Sequence, residues 1–261
     1  MGQADYWNDR ANMEYTYNGE KFYTITAIPY YYRRRKIILK KLASLISDSS
    51  KICDFGCGDG EYVRILSEGN TNCTFHGVDI SEDMIRLAQS RNEAERFTWE
   101  ISGDGIHKEE LFDVIYSSAI FAHVTDEVVL SLFANIAGHV SDNGVFALCE
   151  QTAPVRYGRA TFTRRPKSEY IALLEKAGFK EFECFTIDFW LHRLLFERKI
   201  GKYFINRYMK KHNETNRHVA MVQLNKNRVY RFFSAACSVL SFPRKFKKKD
   251  RWGYCFIVAK L

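Results

Sequence analysis

The residues best suited to chemistry begin at Asp54-Phe55-Gly56-Cys57-Gly58-Asp59-Gly60, a glycine-rich turn that ends the apolar run Lys51–Phe55. Glycines at alternate positions let a ligand approach the main chain where side chains would block it. Asp79 closes a second apolar run nineteen residues after Gly60, where its carboxylate can accept from both hydroxyls of a nucleoside ribose. Ser102-Gly103-Asp104-Gly105 ends a third run. There Asp104 can accept from the exocyclic amine of a base, although Gly-Asp-Gly is equally good turn chemistry. The dinucleotide fingerprint G-x-G-x-x-G does not fit, because Glu61 stands where its last glycine belongs.

These residues need a scaffold that brings strand ends together. Five strand-like runs (51–55, 74–80, 97–102, 112–118 and 144–151) alternate with helical patterns in the first 151 residues. Ser81 is a helix N-cap with Asp83 in the first turn. Between 126 and 140, Val129, Leu132, Phe133, Ile136 and Val140 recur at helical spacing, so one face packs on a sheet. Strands alternating with such helices predict a parallel sheet with right-handed crossovers and helices on both faces. Ligands of such sheets bind at the carboxyl ends of the strands. Further on, 166–177 is an amphipathic helix stopped by Gly178, and 179–189 is a sixth strand. The apolar run 252–259 is its expected antiparallel partner. Three parts follow: an arm and helix over 1–47, a core of 48–189 plus 251–261, and a helical insertion over 190–250.

Charge is divided unevenly among these parts. Thirty-nine Lys and Arg against 31 Asp and Glu give a net +8, but residues 191–261 alone carry +15 and residues 1–190 carry −7. Such a run is either a solvated helical face or a surface for something anionic. Residues 151–168 add Arg156, Arg159, Arg164, Arg165 and Lys167 with no acid. The longest uncharged stretches, 114–125 and 232–243, are too short for a spanning helix, and the N-terminus does not resemble a secretory signal. Seven cysteines, none in a Cys-x-x-Cys pair, predict no metal site and fit a reducing cytoplasm.

The turn, the two acids and the late antiparallel strand together resemble the class I S-adenosylmethionine-dependent methyltransferases of the small-molecule and glycan-modifying kind, over roughly 48–189 and the final strand. The resemblance implies an α/β fold with a doubly wound, mostly parallel seven-stranded sheet of order 3-2-1-4-5-7-6, its last strand antiparallel. It implies S-adenosylmethionine as cofactor. Asp54, Gly56, Cys57 and Gly58 would hold the methionine part, Asp79 the ribose, and Ile80 and Met84 would flank the adenine. Asp104, with Gly103 and Gly105 beside it, would take the adenine amine. Ser118 opens Ser118-Ala-Ile-Phe-Ala-His123-Val-Thr-Asp126, which resembles the family's fourth-strand exit, and Asn143-Gly144 matches the turn before the fifth strand. Tyr6-Trp7-Asn-Asp-Arg10 resembles an opening whose Trp or Arg closes over the cofactor; Trp7 equally suits simple packing of the arm.

Methyl transfer from a sulfonium needs alignment above all, and a hydroxyl acceptor gains from a general base. His123, Glu150 and His192 are the candidates, while His123 equally suits capping or packing the helix after it. Tyr15 and Tyr17 can wall the acceptor pocket, and Arg156, Arg159, Arg164 and Arg165 can bind an anionic acceptor bidentately. The expected acceptor is therefore an acidic or phosphorylated sugar, or the terminus of a lipid-linked glycan. An apolar stretch beside a basic cluster in 230–249 suits peripheral contact with a membrane, at its inner face. An RNA methyltransferase is disfavoured, because the fourth strand ends in Ser117-Ser118-Ala119-Ile120 rather than an amine-methylating tetrad. A non-catalytic cofactor-binding protein is the remaining alternative.

Overall fold

Long apolar runs closed by glycine or an acid become buried parallel strands here, because helices cover both faces of such a sheet. The computed structural model describes residues 3–11, 15–17, 20–22, 29–159, 162–188, 200–213, 244–246 and 253–261, with 220, 224, 228–230, 232–233 and 236. In chain order these form α1 (Gln3–Ala11), β1 (Tyr15–Tyr17), β2 (Glu20–Phe22), α2 (Pro29–Ala43), β3 (Lys51–Phe55), α3 (Glu61–Glu68), β4 (Thr74–Asp79), α4 (Glu82–Arg91), β5 (Phe97–Ile101) and β6 (Phe112–Ser118). A 3-10 turn at Phe121–His123 leads to α5 (Asp126–Ala137), β7 (Val140–Thr152), β8 (Tyr157–Arg159), β9 (Phe162–Arg164), α6 (Lys167–Lys176), β10 (Glu181–Asp188), α7 (Gly201–His212), β11 (Arg244–Phe246) and β12 (Gly253–Lys260).

The main sheet runs β11-β10-β12-β7-β6-β3-β4-β5. Strands β3 to β7 are mutually parallel, and β12 is antiparallel to both its neighbours, β7 and β10. This is the expected order 3-2-1-4-5-7-6, with the short β11 added at the edge. Because β10 is antiparallel to β12, it points the same way as β7. The carboxyl ends of six strands therefore share one edge.

The chain divides into two compact units, one of residues 1–11, 38–187 and 245–261, the other of 12–37 and 188–244. In the first, α5 presses Val129, Leu132, Phe133 and Ile136 onto the sheet, all buried. Phe133 lies 4.7 Å from Phe121 and 5.7 Å from Phe146, ring centre to ring centre. This cluster lies directly behind the exit of β6, so core packing sets where that exit turns. In the second unit, Ile205 of α7 packs with Ala220, Leu224 and Tyr230.

Two local features depart from the sequence reading. β7 starts at Val140, four residues before the expected Gly144. Its pairing jumps from Phe112↔Val140 to Val114↔Val145, so Ser141–Gly144 bulge out and Asn143-Gly144 lie within the strand. The loop after β7 folds back as the hairpin β8–β9. No described helix is long and apolar enough to cross a membrane.

Candidate active site

At the end of β3 the chain reverses through three left-handed glycines, Gly56, Gly58 and Gly60, at φ 79°, 53° and 69°. The Gly56 and Cys57 N–H groups donate to the Val78 carbonyl at 2.7 and 2.9 Å, which anchors the turn to β4. A Cβ on Gly56 would run into the Ile120 side chain, whereas a Cβ on Gly58 would meet nothing within 4 Å. The first glycine is needed for packing and the second leaves open space over the strand end. Burial pushes the Cys57 thiol well up, so it stays neutral and is no nucleophile.

Two acids sit under this turn. Asp54 is buried and accepts a 2.9 Å hydrogen bond from Tyr116 Oη. Desolvation outweighs that bond and raises its carboxyl to about 8. Asp79 ends β4 and is 9% exposed. The Gly58 N–H donates to its Oδ2 and the Ser81 N–H to its Oδ1, each at 2.9 Å. Burial raises this carboxyl too, opposed by the backbone donors of Ser81 and Gly58. The Ile80 N–H is a third backbone donor, so three of the four acceptor positions of the carboxylate are taken and one is left for a ligand hydroxyl. Ser81 caps α4 through Met84 N–H and donates at 2.6 Å to Asn8 Oδ1, docking α1 beside the acid.

The exit of β6 forms the other wall. Ala119 follows Ser118 with φ 64°, a left-handed conformation rare for alanine and typical of strained functional turns. The 3-10 turn then presents His123, whose ring meets Trp7 edge-on at 5.6 Å and Phe162 at 5.1 Å. This turn is gripped at both ends. The Phe121 N–H donates to Glu150 Oε1 at 2.7 Å, while Arg165 donates to the carbonyls of Phe121 and Val124 at 2.6 and 2.7 Å. Arg165 also bonds Asp126 Oδ1 at 2.7 Å.

Residues 53–146 match a family described as "Methyltransferase domain". Over 129 residues the chain is 27% identical to a protein of Campylobacter concisus named carboxy-S-adenosyl-L-methionine synthase, covering 48% of this chain and 54% of that one. The chain thus spans about half the length of that relative. Over 98 residues it is 30% identical to malonyl-[acyl-carrier protein] O-methyltransferase of Bacillus cereus, covering 37% of this chain and 36% of that one. Its fold matches the O-methyltransferase of a trans-AT PKS multienzyme from Brevibacillus brevis, solved with S-adenosylhomocysteine, at TM-score 0.60 and 18% identity over 87% of this chain and 73% of the other. Residues 53–146 thus resemble a methyltransferase domain, and the fold around them is that of an O-methyltransferase.

At the carboxyl edge the structure gathers Asp54, Gly56, Cys57, Gly58, Asp79, Ile80, Ser118 and His123, with Trp7 of α1 against the His123 ring. Met84 is buried in the first turn of α4. Gly103 packs on Ile80, and Gly105 is crowded by Asn135. Asp104 stands 82% exposed at the end of β5, with His107 Nε2 at 3.0 Å and Ser102 Oγ at 3.1 Å. Three expectations need correction. Glu150 is fully buried and serves as a brace under Phe121, so it does not face a substrate as a base. Arg165 is 1% exposed and spends its guanidinium on Asp126 and main-chain carbonyls, so it cannot take an acceptor. Arg156 is paired with Asp126 and Glu169, which offsets the charge expected of the 151–168 segment. Arg164 stacks over Phe162. His192 and the side chains of Arg10, Tyr15, Tyr17 and Arg159 lie outside the described residues. The sequence reading missed Tyr116, which donates to Asp54, and Asn8, which accepts from the Ser81 hydroxyl, and no motif marked either.

The two glycines predict a stability contrast. Gly58→Ala should cost about 1–2 kcal/mol of unfolding free energy, the price of a left-handed Cβ. Gly56→Ala should cost more, because Ile120 must also move; chemical denaturation of both variants checks the order. Glu150 is raised to about 7 by burial, so it binds a proton on folding, as Asp54 does. Stability from both groups is full below the ordinary carboxylate range and is lost as pH rises through about 7 and about 8. Thermal melts from pH 5 to 9 should show this decline, and Glu150→Gln should flatten its lower part.

Proposed function

We propose that the chain is an S-adenosylmethionine-dependent methyltransferase that O-methylates an anionic polar acceptor, an acidic or phosphorylated sugar or the terminus of a lipid-linked glycan. The observation that carries the donor half is Asp79, an acid held at the strand end by backbone donors beside an open glycine turn. When bound, the cofactor supplies a methyl on a sulfonium that is already activated for in-line displacement. The chain's own residues then hold and align. Asp54, Gly56, Cys57 and Gly58 would cradle the amino-acid end. Asp79 would accept from a ribose hydroxyl, with Ile80, Met84, Gly103, Asp104 and Gly105 around the adenine. Trp7, Arg10 and Ser118 would close the near side.

His123 is assigned as the group that receives the acceptor's proton, held beside the Trp7 and Phe162 rings by the doubly gripped turn. The anionic acceptor rests on charge and connectivity. The chain leaves β10 and re-enters at β12 on the carboxyl edge, so a segment of net +13 over 190–250 is tethered there. The Bacillus cereus relative, named for O-methylation of a malonyl group, is consistent with an anionic acceptor. If the glycan is lipid-linked, the same reading includes peripheral contact with a membrane through 230–249, most of which lies outside the described residues.

Calorimetry with S-adenosylhomocysteine is expected to show binding to the native chain and at least a tenfold loss in Asp79→Ala. Absence of heat, or an unaltered affinity in the variant, would overturn the donor site. Mass spectrometry of a reaction with a panel of acidic and phosphorylated sugars should find one methyl added to the acceptor. Carboxylated donor in its place would point to the reaction named for the Campylobacter relative.

A further inference from the structure

We propose that the unit formed by 12–37 and 188–244 carries a docking surface for an anionic lipid bilayer, centred on Tyr203, Val229 and Phe232. This deepens the membrane part of the function above and rests on that reading: it keeps Phe232 and Phe233 of the expected segment and adds Val229 and Tyr203 of α7. Tyr230, the first residue of the segment expected to dock, is fully buried against Phe204, ring centres 5.9 Å apart. Its neighbours point outward instead. Val229 is 54% exposed and Phe232 67%, and Tyr203 on α7 is 58% exposed.

Ring contacts link Tyr203 to Phe232 through Phe204, which faces the core, and Phe233. Tyr203 contacts Phe204 at 5.8 Å, Phe204 contacts Phe233 at 6.2 Å, and Phe233 contacts Phe232 at 5.8 Å. Helix α7 explains the arrangement. Phe204, Ile205, Tyr208 and Met209 face inward, so Tyr203, Arg207 and Lys210 fall on the outward stripe at i, i+4 and i+7. The Arg207 guanidinium bonds Tyr203 Oη at 3.0 Å, which keeps a cation over the ring edge.

Charge selects the occupant. Lys202, Arg207, Lys210, Lys211 and Arg228 are all exposed, and no Asp or Glu occurs among the described residues from 200 to 236. Large exposed apolar side chains among these exposed cations match the interface of a bilayer with anionic headgroups, where rings enter the acyl boundary and lysines reach phosphate. Valine and phenylalanine at the centre favour a lipid surface over nucleic acid, whose bases would want stacking platforms alone.

Flotation of the full chain with phosphatidylcholine vesicles, with and without about one-third phosphatidylglycerol, tests this directly. The chain is expected to float with the anionic vesicles and to be released by high salt. Removing two cations in Lys210→Gln with Lys211→Gln should weaken partition about 30-fold. Val229→Ser with Phe232→Ser, both on exposed positions, should weaken it about tenfold. Circular dichroism and S-adenosylhomocysteine calorimetry on the same preparations should be unchanged, which separates this surface from the donor site. Three results would overturn the proposal: no flotation with anionic vesicles, flotation indifferent to both variant pairs, or tighter binding to single-stranded RNA lost in the same variants.

Discussion

A buried carboxylate that holds two pieces of main chain is the constraint on which this site depends. Asp79 receives the Gly58 N–H on one oxygen and the Ser81 N–H on the other, so a single side chain ties the glycine turn after β3 to the helix start after β4. Desolvation raises the cost of its charge, and the backbone donors offset that cost. A fold that spends main-chain donors on an acid at a strand edge has pre-organised that acid for a ligand.

The second wall is built on the same plan with different parts. Glu150 and Arg165 take the amide and the carbonyl of Phe121, and the aromatic cluster of Phe121, Phe133 and Phe146 packs beneath. The turn carrying His123 is thus fixed from inside the core rather than from the loop side. Groups that look catalytic by type act here as braces, and the brace is as buried as any leucine.

What was legible in the sequence follows from this division. The strands were readable because parallel strands are continuous apolar runs, and the turn was readable because left-handed positions demand glycine. Asp79 was readable because a lone acid closing an apolar run has few structural uses. The pairing of Arg165 with Asp126 was not, since the partners lie 39 residues apart and only the folded β6 exit brings them together. The same holds for Arg156, which seemed part of a free basic rim until Asp126 and Glu169 met it. The early start of β7 escaped because a bulge has no periodic signature.

The central claim is that Asp79 grips a ribose hydroxyl while the glycine turn lies along the rest of the donor. The most direct measurement compares the affinity of the native chain for S-adenosylhomocysteine and for its 2′,3′-dideoxy analogue. The account requires the analogue to bind at least tenfold more weakly, since a buried carboxylate would lose its hydroxyl donor. Equal affinity for the two ligands would contradict it.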